Sequence, residues 1–344
     1  MKKNLFFLAA AAVALASCSN DDTTAVNSSA SQANQPKEIS LFAVNQKATR
    51  AAVDGTTFPT TLDMMVTAYQ VEATGGSAAV YFDATPFKYQ YAGGSDSDAG
   101  TYWGGDPAKY WPLTPAYINF LAIANANADN ATGVTWGTNK ADQVTIVMSD
   151  NSTEQRDLMY ARGDGEVTQS DNTLTFPEKV DMQFKHAQAW IDFKVKANST
   201  TETAITINSI TLTGAKYNGK YTVTHTAYND KTGQRVAGAW TDLGDPKNVE
   251  VPGWTAAALS SSDFTTVGNG LMIVPDDAAA GDFTSFTIAY TYDGKDYSYT
   301  YTPATTNVEQ AKHYIYEITF QLHEIYINPS VEDWEDQTAT AVTF

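Results

Sequence analysis

Alternation of apolar and polar positions runs through most of this chain. From Trp190 to Lys196, Ile191, Phe193 and Val195 fall on one side and Asp192, Lys194 and Lys196 on the other. That period of two belongs to a strand with one face in a core and one in water. Phe286, Ile288, Tyr290 and Tyr292 repeat it, Asp293-Gly294 supplies a two-residue turn, and Tyr297, Tyr299 and Tyr301 bring the chain back. A second hairpin is expected to turn at Asn218-Gly219, between Ile210–Tyr217 and Lys220–Thr226, and Val144, Ile146 and Met148 mark a strand in the first half. Beyond the first twenty residues no window of about a dozen carries a helical period. The pattern predicts an all-β chain of two tandem antiparallel β-sandwich domains. Their boundary is set near Pro177–Asp181, after a loop expected over Arg162–Asn172, giving domains over 51–180 and 181–344.

The first residues read differently. Met1-Lys2-Lys3 precedes an unbroken apolar run from Leu5 to Ala16. This is the core of a signal peptide, 1–17, and is too short for a permanent bilayer span. It ends at Leu15-Ala16-Ser17-Cys18, which resembles the lipobox of bacterial lipoproteins. Small residues before the cysteine suit the signal peptidase, and the Cys18 thiol takes the lipid that anchors the precursor in the outer membrane. Ser19-Asn20-Asp21-Asp22 is similar to the acidic signal that sends some such lipoproteins to the cell surface. Thr23 to Lys37, rich in Ser, Asn, Gln and Ala, reads as a flexible tether. Residues 18–50 are thus tether and propeptide, ending with a first strand.

Composition narrows the function. Charged residues are only 17% of 344, below the ~25% of average domains, while aromatics reach 12% with 19 tyrosines, a mixture suited to sheet. Acidic residues outnumber basic ones 39 to 21, and the net charge of −18 repels a phosphate backbone, so no nucleic-acid partner is expected. A single cysteine leaves no disulfide framework, and no cofactor or metal is expected. No catalytic motif is present and no enzyme is predicted; a carboxylate pair cannot be placed from sequence. Asp96-Ser97-Asp98-Ala99-Gly100 looks like the front of a calcium loop but lacks the later glutamate, and reads as a solvated loop. Arg162-Gly163-Asp164 spells an integrin-type tripeptide in an expected exposed loop. His186 reads as a structural or surface histidine. Tyr102-Trp103, Tyr110-Trp111 and Trp240/Trp254 offer either a sugar-stacking platform or ordinary core aromatics.

Seven segments in order resemble the fimbrillin family, the subunits of type V pili in Bacteroidales. They are Lys47–Ala51, Tyr110-Trp111-Pro112 with Ile118–Ala122, Asp157–Ala161, Phe184–Ala187, Leu271–Pro275, Tyr314–Ile318 and Val331–Trp334, and they span nearly the whole chain. The resemblance implies transthyretin-like sandwiches and a structural, non-enzymatic role in a pilus built from this and other subunits. It also implies a mechanism. Glu38 to Val44 alternates Ile39, Leu41 and Ala43 against Ser40, Phe42 and Val44, a short first strand followed by Arg50, the family-like site for an arginine-specific protease. Cutting between Arg50 and Ala51 would remove lipid anchor and strand together and expose a sheet edge. The candidate replacement is the C-terminal tail of another subunit, where Thr340, Val342 and Phe344 alternate with Ala339, Ala341 and Thr343. Loss of residues 1–50 leaves 16 basic and 36 acidic side chains, a net −20, so association would rest on strand insertion rather than on sticky faces.

Two other readings stay open at this level: a fimbrial tip or accessory adhesin using its aromatic loops on host proteins or glycans, and a surface glycan-binding lipoprotein that remains anchored and makes no use of Arg50.

Overall fold

A computed structural model describes residues 36–45, 58, 62, 64–71, 79–81, 87–93, 102–125, 131–136, 143–148, 156–199, 204–224, 238–276, 281–321 and 324–333. All belong to one unit that begins at Pro36. The strands of the first half are β1 Ser40–Asn45, β2 Met64–Val71, β3 Ala79–Val80, β4 Phe87–Gly93, β5 Tyr102–Asp106, β6 Ala116–Ala124, β7 Ala131–Trp136 and β8 Gln143–Met148. Next come β9 Met159–Ser170, β10 Thr173–Thr175, β11 Val180–His186, β12 Ala189–Ala197, β13 Thr206–Ala215, β14 Lys220–Thr224, β15 Ala239–Thr241 and β16 Lys247–Glu250. The last are β17 Ala257–Ala258, β18 Thr265–Thr266, β19 Leu271–Ile273, β20 Ser285–Tyr292, β21 Lys295–Tyr301, β22 Lys312–Gln321 and β23 Glu324–Asp333. The chain is all-β, as its patterning predicts.

In the first half the pairing closes on itself. Strand β9 pairs with β11, β11 with β1, β1 with β5, β5 with β4, β4 with β2, β2 with β6, and β6 again with β9. The result is a ring of seven strands with β10 and β3 as flanking additions. Its interior holds Ile39, Leu41, Met64, Val66, Trp103 and Phe184. Strand β6 is buried along its whole length because both faces are covered. Ile118, Phe120 and Ala122 point into the ring, while Leu121 and Ile123 join a second cluster outside it. A strand buried on both sides reads as a continuous apolar run, as Ala116-Tyr-Ile-Asn-Phe-Leu-Ala-Ile-Ala does.

The second half is a two-layer sandwich. One sheet runs β18-β12-β22-β23 with β19 also on β12, and the other runs β16-β13-β20-β21 with β17 also on β13. Ile191, Phe193 and Val195 face Phe286 and Ile288 across the core, and the Phe193 and Phe286 rings meet edge to face at 4.9 Å. The hairpin β20–β21 turns at Asp293-Gly294, both at positive φ (48° and 68°), as a type I′ turn requires. Asp192 departs from its expected place in water. It is 5% exposed, and His313 Nε2 lies 3.2 Å from its Oδ2 while the His313 ring stacks on Trp190. The division at 180/181 falls at the start of β11, whose Val180, Met182 and Phe184 line the ring, and the sandwich core starts at Ala189.

A fourth sheet, β15-β14-β8-β7, draws strands from both halves. The hairpin expected at Asn218-Gly219 does not form, and β14 leaves β13 to pair with β8. The backbone of residues 216–218 is already engaged. Lys216 N donates to Asp282 O, Lys216 O accepts from Val274 N, and Asn218 O accepts from Gly244 N. Neither Asn218 nor Gly219 has the positive φ of a tight primed turn.

Candidate functional site

Strand β1 is short, yet it is held on both edges. Leu41 to Asn45 run parallel to Val180 to Phe184 of β11, and Ser40, Leu41 and Phe42 oppose Gly104, Trp103 and Tyr102 of β5. Just before the strand, Ile39 N donates to Lys109 O at 2.7 Å and Trp111 N donates to Lys37 O at 2.9 Å. The alternation then sorts the side chains: Ile39, Leu41 and Ala43 are buried inside the ring, whereas Ser40 and Phe42 lie half-exposed outside it. Lys179 Nζ sits 4.4 Å above the Phe42 ring. The sequence left both faces of this strand usable; here Ile39, Leu41 and Ala43 take the inner one.

Around this strand the ring supplies two unequal walls. On β5, Trp103 is fully buried and donates from Nε1 to Leu62 O at 3.1 Å. On β11, Val180, Met182 and Phe184 are fully buried. Phe58 lies between them, 5.1 Å from Trp103 and 4.4 Å from Phe184 between ring centroids. Phe58 and Leu62 escaped the sequence reading because they belong to no alternating run. The usable signal was a large apolar side chain alone in Thr56-Thr57-Phe58-Pro59-Thr60-Thr61. Below, β11 ends at His186, whose Nδ1 lies 2.8 Å from both carboxylate oxygens of Asp157, all fully buried. His186 is therefore a structural histidine in this fold.

The junction beside it is equally polar and closed. Gln188 Oε1 accepts from Leu158 N, and Gln310 Nε2 lies within 3.0 Å of Tyr160 Oη and 2.8 Å of Tyr221 Oη. Burial first, and then the neighbouring Tyr160, push the Tyr221 phenol well above its usual ionisation range.

The remaining candidates fall elsewhere. Arg162-Gly163-Asp164 is no loop. It lies mid-strand in β9, paired to Leu121, Phe120 and Asn119 of β6, with Arg162 6% exposed and Asp164 accepting from Tyr117 Oη. The expected loop over Arg162–Asn172 is mostly this same strand. Of the aromatic pairs, Trp103 and Trp111 are buried in the ring, Tyr110 is exposed, and Trp240 and Trp254 are half-buried and donate from Nε1 to Ala187 O and Ile207 O. Among the described residues no group of three or more His, Cys, Asp or Glu is placed to hold a metal ion. Cys18, Arg50, Ala51, Asp96–Gly100 and the tail residues Thr340, Val342 and Phe344 lie outside the described residues.

A fimbrillin-like family model matches residues 49–334. The chain belongs to the fimbrillin-like family. Among solved structures it is similar to a fimbrial protein of Bacteroides vulgatus, at 17% identity and a TM-score of 0.50, covering 79% of this chain and 92% of that one. It is also similar to a proposed cell adhesion protein of Bacteroides uniformis, at 17% identity and a TM-score of 0.50, covering 86% and 99%. A proposed cell adhesion protein of Bacteroides ovatus matches at 14% identity and a TM-score of 0.52, covering 88% and 100%. No curated protein sequence matches. These likenesses bear on the fold, and the family makes the chain a fimbrial-type subunit.

Proposed function

We propose that this fimbrillin-like chain is a structural subunit of a cell-surface pilus that supports adhesion, exported as a lipoprotein through Cys18 and matured by cleavage between Arg50 and Ala51. Cleavage there removes β1, and the C-terminal tail of a neighbouring subunit, carrying Thr340, Val342 and Phe344, takes its seat. The observation that carries this reading is the position of β1. Among the described residues it is the only ring strand N-terminal to Arg50, it is hydrogen-bonded along both edges, and Ile39, Leu41 and Ala43 fill the ring interior. A chain without β1 has two facing unpaired edges and an apolar slot between them, which another strand of small or apolar inward residues would satisfy. The role needs no catalytic group.

The test is maturation. Material sheared from the cell surface should begin at Ala51 on N-terminal sequencing, and an Arg50→Ala strain should hold a longer, membrane-bound monomer with no polymer ladder on a non-boiled gel. Normal ladders from that strain would refute the reading.

A further inference from the structure

Removing one stave of a closed ring creates a mechanical problem as well as a vacancy. Strands β5 and β11 each lose the partner on one edge, and close-packed interiors shrink around a void when nothing holds the walls apart. A slot that has narrowed, or splayed, no longer matches the strand spacing of about 4.8 Å on each side that an incoming strand needs.

Phe58 sits where this matters. It is wholly buried and outside every strand, and its ring packs edge-on against Trp103 of β5 at 84° and tilted at 32° against Phe184 of β11. Trp103 is the register partner of Leu41, and Phe184 that of Asn45. One side chain therefore touches both strands that β1 separates. The same segment is tied a second time where Trp103 Nε1 bonds Leu62 O. Phe58 and Leu62 both follow Arg50 in the chain, so a cut at Arg50 takes away Ile39, Leu41 and Ala43 and leaves this crosspiece behind.

We propose that Phe58 is a positioning residue for strand replacement, spanning β5 and β11 and keeping the vacated seat one strand wide. Its bulk resists closure of the slot, and its contacts with Trp103 and Phe184 resist its opening. The inference rests on the reading of β1 as a replaceable strand.

The experiment uses the full chain, wild type and variant, cut with an arginine-specific protease and freed of its N-terminal fragment. The probe is a fluorescent synthetic peptide with the sequence of residues 36–45, and binding is read by anisotropy. The wild-type chain should take up the peptide, and Phe58→Ala should bind it more weakly by about tenfold or more. Phe58→Leu, which keeps most of the bulk, should restore binding to within about threefold of wild type. Should Phe58→Ala fail to purify, Phe58→Val serves for the same comparison. A purely packing role would lower the melting temperature of the uncut variant and leave peptide affinity after cutting unchanged, and that result overturns the inference while strand replacement stands. A cut wild-type chain with no affinity for the peptide overturns strand replacement itself, and the role of Phe58 with it.

Discussion

Gly163 is glycine because nothing larger fits. A Cβ added there would stand 2.5 Å from Met182 Sδ and 2.6 Å from Val180 Cγ1, inside the ring between β9 and β11. Gly163→Ala should therefore cost about 1–3 kcal/mol through overpacking, read as a lower urea midpoint with an unchanged slope. The same position shows why the tripeptide misled: Arg, Gly and Asp together suggest a solvated turn, yet here the glycine admits neighbouring side chains and the arginine is covered. Asp282 is a second residue whose role is local. Its Oδ1 accepts from Asp276 N and its Oδ2 from Val308 N, joining two loops, and Lys216 forms an ion pair with Asp276 beside it. Burial is the main cause that raises the Asp282 carboxyl above the usual aspartate range. The folded state thus binds this proton more tightly than the unfolded chain does. The group favours folding below the ordinary aspartate pKa of about 3.9 and loses that contribution as pH rises through its folded value. Asp282→Asn should cost about 1–3 kcal/mol at neutral pH, since one backbone N–H loses its acceptor. It should also flatten the decline in stability from about pH 4 upward, which parallel thermal melts would show.

At the scale of elements, the hairpin β20–β21 was legible because everything that specifies it is local. Alternation fixes the faces, and Asp293-Gly294 fixes the register. A Cβ at Gly294 would meet nothing within 4 Å, so Gly294→Val should cost about 1–2 kcal/mol from its φ of +68° alone, measurable as a drop in melting temperature. Asn218-Gly219 carries an equally good local signal and fails, because Lys216 and Asn218 are bonded to three distant segments and β14 pairs with β8 instead. Strand β1 lies between these cases. Its alternation was readable, but which face turns inward and its place between β5 and β11 depend on pairings that no local pattern encodes. Leu41→Asp places a carboxylate inside the ring and should destabilise the uncut chain by roughly 3 kcal/mol or more. After cleavage at Arg50 and removal of the fragment, the variant and wild type should melt alike. A persistent difference would mean that β1 does not leave.

At the scale of the whole molecule, the two cores are joined by more than a linker. The sheet β15-β14-β8-β7 spans both halves, and Tyr221 stands at its centre, fully buried, with Tyr160 5.5 Å and Trp240 4.8 Å away between ring centroids and Gln310 bonded to its hydroxyl. Composition and strand count suggested two sandwiches side by side. They could not reveal a shared sheet, since β8 and β14 lie on opposite sides of the sequence midline and neither has an unusual pattern. Tyr221→Ala removes a buried aromatic from the junction and should cost about 3–5 kcal/mol. Calorimetry should show one cooperative transition for the wild type and two for the variant, the ring and the sandwich melting apart.

The shared sheet and the closed ring also dictate an order of events during synthesis. Strand β1 cannot be fully paired until β11 exists, β8 waits for β14, and the bonds from Gln310 to the hydroxyls of Tyr160 and Tyr221 come later still. Contacts so distant in sequence close late and slowly. The N-terminal half of a nascent chain is thus left unfinished, its backbone still threadable, until most of the polypeptide has been made. For the exported precursor proposed above, which would cross a membrane as an extended chain, the delay is an advantage, because the pairings that would lock it are the last ones available.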